Sequence, residues 1–94
     1  MIRVLIERKV AASMELAYYE ATKKARKNAA SLPGYIGGET LRDLKDPHHH
    51  FILSTWQTEG DWNRWLASEE RYELEGMLAP CLDEAETYTL MEIV

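Results

Sequence analysis

Several residue types and segments that mark whole classes of protein are scarce in this chain. Cys81 is the single cysteine among 94 residues, so no internal disulfide can form. Because no histidine lies near it in sequence, we expect its thiol to pack in the interior rather than to act as a nucleophile. No apolar run approaches the roughly 20 residues that span a bilayer, and residues 1–10 lack the long apolar segment of a secretory signal. We therefore expect a cytoplasmic protein that has no membrane partner.

Excess basic charge and the motifs of common catalytic sites are also missing. The net charge of −5 argues against a nucleic-acid partner. Gly34, Gly37 and Gly38 precede a predicted strand rather than a helix, so they do not form a phosphate-binding loop. Serine, histidine and acidic residues occur in no arrangement typical of a nucleophilic triad. These exclusions leave a small folded protein whose apolar content of 46% suffices for one core.

Tryptophan, in contrast, is concentrated in one short segment. Trp56, Trp62 and Trp65 fall within ten residues, where an apolar strand runs through a polar corner into a helix. Indole is a large apolar surface with one N–H group that needs a partner. The cluster therefore indicates either a dense core or the wall of a cleft that fits an aromatic molecule.

Hydrophobic periodicity predicts the element order βαββαβ. Ser13 and Ser68 are predicted N-caps, and Ser68 implies a break in the second helical region near residues 67–68. The order is that of the ferredoxin-like fold, a four-stranded antiparallel sheet with helices on one face. No linker divides the chain, so we expect one domain over residues 1–94. The predicted strands are residues 2–10, 35–45, 48–56 and 86–94, and the helical regions start at Ser13 and Glu59.

One face of such a sheet lacks a cover in a single copy of the chain. Either Ile2, Val4 and Ile6 or the hydrophobic residues of the last strand would be exposed there. Two copies that pack their sheets face to face would bury this surface, so we expect a homodimer.

At this point the residues resemble the antibiotic biosynthesis monooxygenase (ABM) family. The similar motifs follow one another in the right order over nearly the whole chain. That resemblance implies a dimeric α+β barrel. The family includes cofactor-independent monooxygenases of aromatic polyketides or quinols, haem-degrading enzymes, and members without known activity. The motifs are Pro33 to Glu39, Asp46-Pro47, Thr55-Trp56, Asp61-Trp62, Trp65-Leu66, Ser68 to Arg71 and Pro80 to Leu82.

The resemblance also assigns roles to single residues. Trp65 matches the tryptophan of haem-degrading relatives, but Glu75 stands where they carry the histidine that binds iron, so we expect no haem. Asp61 and Tyr72 are near an asparagine and a tyrosine of polyketide-oxidising relatives, though not in strict register. We therefore expect no cofactor, with Trp62, Trp65 and Tyr72 binding a small aromatic substrate.

A cofactor-free oxygenase needs a polar anchor or proton acceptor in an apolar cleft. Glu7, on the mixed face of the first strand, and Asp61, at the start of a helix, are the candidate catalytic carboxylates. Which face of that strand turns toward the helices decides whether Glu7 lies in the cleft. Trp65 and Tyr72 are seven residues apart and share a helical face only if the predicted break does not separate them.

Two other interpretations of the sequence remain open. The chain is alternatively a non-catalytic dimeric module that binds a ligand or responds to stress, or a purely structural self-association domain. A cleft of roughly 300 Å3 beneath the first helix would argue against the purely structural reading. The run of His48, His49 and His50 is expected to be a set of partly exposed strand residues rather than a metal site, because at most two of them share one face.

Overall fold

The computed structural model describes residues 1–94 and shows the predicted order of elements. Its four strands form one antiparallel sheet in the order β2-β3-β1-β4, with the helices on one face, so the predicted ferredoxin-like α+β fold is confirmed. No helix is both long enough and apolar enough to cross a membrane. The strands are β1 (Ile2–Lys9), β2 (Tyr35–Arg42), β3 (His49–Trp56) and β4 (Thr87–Glu92), and the helices are α1 (Glu15–Asn28), α2 (Glu59–Leu66) and α3 (Glu69–Leu78), with short 3-10 turns at Ala29–Ser31 and Ala79–Cys81.

Strand β1 lies in the middle of the sheet and supplies its main buried side chains. Val4, Ile6 and Arg8 alternate with more exposed residues and face the helices. Val4 and Ile6 pack with Trp56 and Trp62 in one core cluster. A second cluster, at the other end of the helix layer, consists of Val10, Tyr18, Ala21, Leu78 and Cys81. The prediction that Cys81 is a packing residue is confirmed.

The open face of the sheet does not carry the first of the two apolar sets that were expected there. Val4 and Ile6 lie under the helices, because their side of β1 is apolar except for Arg8, while the opposite side carries Arg3 and Glu7. The open face instead carries Leu5 and four apolar residues of the other three strands. These are Phe51 and Leu53, which are half-buried, and Leu41 and Met91, which are exposed.

Of the two predicted helix N-caps, one is confirmed and the other is wrong. Ser68 Oγ accepts a hydrogen bond from the backbone N–H of Arg71 at 3.1 Å, so the predicted cap and the break before α3 are confirmed. The prediction of Ser13 as a cap is wrong: α1 begins at Glu15 after Met14, without a side-chain cap. Ser13 adopts a left-handed backbone conformation (φ 70°), which takes it out of capping geometry.

The corner between α1 and β2 depends on Gly34. Its φ of +77° is one that only glycine adopts readily, and a Cβ atom there would lie 2.2 Å from the Asp61 side chain. Asp61 accepts a hydrogen bond from Thr58 Oγ1 at 2.9 Å and contacts Arg64 at 3.1 Å. Gly34 and Asp61 together therefore bring the start of β2 against the start of α2.

Replacing Gly34 with alanine should destabilise the fold by about 2 kcal/mol or more, because the new Cβ atom meets both backbone strain and Asp61. Urea denaturation measures the loss. Gly37→Ala is the matched control, since a Cβ atom there meets nothing within 4 Å, and it should change the stability by less than about 1 kcal/mol. Equal midpoints for the two variants would contradict the role given to Gly34.

Candidate functional site

A partly open cavity of about 270 Å3 lies between the sheet and the helices. Aromatic side chains make up much of its wall: Tyr18 from α1, Tyr35 from β2, Trp56 from β3, and Trp62 and Trp65 from α2. Tyr35 meets Trp56 edge-on with ring centroids 5.4 Å apart, and Trp56 meets Trp62 in the same way at 5.7 Å. Such edge-to-face contacts hold the rings in fixed positions, which gives the cavity a defined shape.

Small residues leave the space in which the cavity forms. Ala25 of α1 and Ala29 of the 3-10 turn that follows it line the cavity from above, and Gly38 of β2 lines it from the sheet. A Cβ atom on Gly38 would lie 2.7 Å from the hydroxyl oxygen of Tyr35, so the glycine allows that ring to lie close over the strand. The volume therefore results from short side chains facing large, fixed rings.

Two buried arginines, Arg8 and Arg71, also line the cavity. Their side chains are 6% and 2% exposed, and both contact the carboxylate of Glu86, which is 9% exposed. Arg8 Nε donates a hydrogen bond to Glu86 Oε2 at 2.7 Å, and Arg71 Nη2 contacts Glu86 Oε1. Arg8 Nη1 also donates to the Tyr18 hydroxyl at 3.2 Å. The cluster ties β1, α1 and α3 to the segment before β4.

Several hydrogen-bond donors around the cavity have no partner. Trp62 Nε1 and the Nε and Nη1 atoms of Arg71 are buried and form no hydrogen bond. Buried donors are normally satisfied, so unpaired ones at a cavity are notable. They are the kind of group that a bound ligand satisfies.

Burial shifts the pKa of three groups in or near the site. It lowers the pKa of the Arg71 guanidinium, and the nearby charge of Arg8 lowers it further. It raises the pKa of the Tyr35 hydroxyl, which therefore stays protonated as a donor at neutral pH. It also lowers the pKa of His50, whose ring lies edge-on to Tyr18 with centroids 5.1 Å apart.

The structure brings together only part of the residue set predicted from the sequence. Trp62 and Trp65 both line the cavity. Tyr72 does not: its side chain is 77% exposed. The chain ends one helix at Leu66 and starts the next at Glu69, so the spacing of seven residues no longer keeps Trp65 and Tyr72 on one face.

The two candidate carboxylates also lie away from the cavity. Glu7 belongs to the open face of the sheet, where its Oε1 atom is 3.2 Å from His49 Nε2. Asp61 interacts with Thr58 and Arg64 at the Gly34 corner. Their catalytic role stays a prediction, and neither side chain lines the cavity.

The three neighbouring histidines have different surroundings. His48 lies 3.3 Å from Glu15, His49 lies near Glu7 on the open face, and His50 packs on Tyr18. No three or more His, Cys, Asp or Glu side chains are grouped in a way that could hold a metal ion.

Sequence reasoning missed the buried arginines. The strand alternation places Arg8 on the same face as Val4 and Ile6, so Arg8 points inward once that face turns toward the helices. Arg71 follows the Ser68 cap on a short helix with a weak apolar pattern, and nothing in its neighbourhood marks it as buried. Glu86, its partner, was assigned to the last strand and lies just before it.

The fold and the cavity define an α+β protein with a small, largely aromatic site between the sheet and its helices. Residues 1–73 match the profile of the family described as antibiotic biosynthesis monooxygenase, so the chain belongs to that family. Membership supports a monooxygenase-like role.

Individual relatives agree with this assignment. The chain is 24% identical over 81 residues to the 42.8 kDa protein in the whiE locus of Streptomyces coelicolor; the match covers 86% of this chain but only 20% of that protein. A candidate antibiotic biosynthesis monooxygenase from Nitrosomonas europaea has a TM-score of 0.89 at 16% identity, with 100% of this chain and 99% of that chain covered. A conserved protein from Methanosarcina mazei has a TM-score of 0.88 at 21% identity, with 95% and 88% covered. Both structural likenesses concern the fold.

Replacing Glu86 with glutamine should lower the free energy of unfolding by about 3–5 kcal/mol, because two buried guanidinium groups lose the carboxylate between them. Chemical denaturation followed by circular dichroism measures the change. Glu75→Gln is the control: Glu75 also contacts Arg71, at 3.5 Å, but its side chain is 56% exposed, so the loss should stay below about 1 kcal/mol. Similar losses for both variants would show that the buried cluster does not depend on Glu86.

Proposed function

We propose that this protein is a cofactor-independent monooxygenase-like protein that acts on a small aromatic or quinol-type substrate. The observation that carries the proposal is the aromatic-walled cavity in a chain of the ABM family. Its volume of about 270 Å3 lies slightly below the roughly 300 Å3 at which typical ligand sites begin, which favours substrates of one or two rings. The site would belong to one ABM-like domain that comprises residues 1–94.

The aromatic wall suits the chemistry of an oxygenase without a cofactor. Such an enzyme holds an electron-rich ring, keeps bulk water away and admits dioxygen. The substrate supplies the electrons: one oxygen atom enters the substrate, and the other leaves as water with two of the substrate's hydrogen atoms. Trp56, Trp62 and Trp65 would hold the ring, and the Tyr35 hydroxyl would be a donor to one of its oxygen atoms.

Access to the cavity is proposed to pass Trp65. A second hollow of about 370 Å3 lies between α1 and α3, and it shares Ala25, Leu32, Trp65 and Leu74 with the inner cavity. These four residues line both spaces. Rotation of the Trp65 side chain would join them and admit a substrate.

The second candidate function is a non-catalytic module that binds an aromatic ligand or responds to stress. One observation favours it: neither Glu7 nor Asp61, the candidate bases, lines the cavity. The same walls would then hold a ligand without reacting with it. A cytoplasmic location stays a prediction under both functions.

Oxygen uptake with a panel of quinols and naphthols separates the two functions. We expect the native chain to take up oxygen. Trp65→Ala should lower kcat/KM by roughly tenfold or more, because the substrate ring loses the indole against which it packs. Trp65→Phe should retain most of the activity, and Tyr72→Phe, outside the cavity, should be unchanged. If no substrate supports uptake while panel members raise the melting temperature, the binding module is the correct function.

We also propose that the protein is a homodimer whose copies pack through the open face of the sheet. Leu5, Phe51 and Leu53 lie on this face with Leu41 and Met91, and such an apolar area favours a partner surface. A second copy presents the same residues, so a two-fold contact would be self-complementary.

Leu53→Glu should convert the dimer to a folded monomer, because it places charge in the middle of the proposed contact. Analytical ultracentrifugation at micromolar concentration measures the mass, and circular dichroism measures the fold. Leu44→Glu is the control, since Leu44 is 99% exposed in the β2–β3 turn. A native chain that sediments as a stable monomer would refute the proposed dimer.

A further inference from the structure

We propose that Arg71, together with Arg8 and the indole N–H of Trp62, binds an anionic oxygen group carried by the aromatic ligand of the cavity. The ligand class is thus an aromatic acid, either a carboxylate or an ionised ring hydroxyl, rather than a neutral aromatic. This inference rests on the proposed function only in assuming that the cavity takes an aromatic molecule.

The charges at the cavity support an anionic ligand. The chain as a whole carries a net charge of −5, yet two buried arginines, Arg8 and Arg71, line this cavity, together with Arg26, which is exposed and lies over the Tyr19 ring. The acidic residue among the lining set, Glu39, is exposed. The three buried groups Arg8, Glu86 and Arg71 together carry a charge of +1; Glu75, the other carboxylate near Arg71, is 56% exposed, so water screens its charge. Removing a charge from water is costly unless an opposite charge accompanies it. An anion in the cavity would supply that opposite charge.

The hydrogen bonds of Arg71 leave part of its guanidinium group available to an anion. Its side chain is 2% exposed, and its Nη2 atom contacts Glu86 and lies 3.5 Å from Glu75. Its Nε and Nη1 atoms are buried without a partner. Guanidinium groups bind carboxylates through two parallel N–H bonds. Arg71 uses one nitrogen atom for Glu86 and keeps two others for a further acceptor.

The other unsatisfied buried group that lines the cavity is also a donor. Trp62 is 1% exposed and its Nε1 atom has no acceptor. Trp56, by comparison, donates its indole N–H to Ser54 Oγ at 3.0 Å. A site whose free groups are all donors selects ligands with acceptor oxygens, and a negative oxygen is the strongest acceptor.

A purely structural role is the competing explanation for Arg71. In that role it ties α3 to the segment before β4 through Glu86, and its charge has no effect on which ligand binds. The two explanations differ in a measurable way, because only a ligand-binding arginine distinguishes a charged ligand from a neutral one of the same shape.

The test is isothermal titration calorimetry without oxygen, with 2-naphthoate, its methyl ester and 2-naphthol as probes. We expect the native chain to bind naphthoate about tenfold to a hundredfold more tightly than the ester, since the charged hydrogen bonds are lost in the ester. Arg71→Met should weaken naphthoate by a similar factor and change ester binding less than threefold. Arg71→Lys should restore part of the preference, and Arg64→Met, at an exposed arginine of α2, should change nothing.

The outcomes also separate this inference from the proposed function. Equal affinities of the native chain for naphthoate and ester would overturn the inference, and so would an equal loss for both ligands in Arg71→Met. The native comparison decides the matter even if that variant does not fold. Tighter binding of 2-naphthol as pH rises through its own ionisation would identify the hydroxyl anion as the preferred group.

Selective binding of naphthoate without oxygen uptake would support the inference and refute the oxygenase. Binding of no probe would overturn both.

Discussion

The buried carboxylate of Glu86 is the contact on which the arrangement of the site depends. It lies between Arg8 of the central strand and Arg71 of α3, and through Arg8 it is linked to the Tyr18 hydroxyl of α1. These elements otherwise meet mainly through apolar side chains, which fill space but do not fix direction. An ionic contact out of water has a defined geometry and a high cost of separation. The Glu86 carboxylate therefore fixes the positions of the Arg8 and Arg71 guanidinium groups at the cavity.

The same cluster explains why an acidic chain has a basic cavity. The acidic residues lie mostly on exposed helix and loop positions, whereas Arg8 and Arg71 are buried and line the space between the layers. Large rings surround that space, and one alanine of α1, one alanine of the 3-10 turn after it and one glycine of β2 keep it open. An apolar wall with a few unpaired donors is a typical arrangement of a small-molecule site. Recognition of an acidic aromatic molecule would use both parts.

The two faces of the sheet carry different features of the molecule. The helix-side face carries the core and the cavity, while the open face carries apolar residues of all four strands beside Glu7 and His49. Alternation along β1 separates neighbouring residues into these environments, so Glu7 and Arg8 lie on opposite sides of one strand. A change on one face can thus alter association without touching the ligand site.

The sequence by itself determined the element order, the ferredoxin-like fold, the break before α3 and two of the three tryptophans at the cavity. These follow from local rules: strand alternation, helix caps and the spacing of large apolar residues act within a few positions of the chain. Ser13 shows the limit of such rules, since its backbone conformation removed a cap that its residue type favoured. Tertiary structure decided which face of β1 turns inward, and so placed Glu7 outside the cavity and Arg8 within it. It also paired Arg71 with Glu86 across 15 positions of the chain. Contacts of that kind depend on how the layers pack, and no local pattern encodes them.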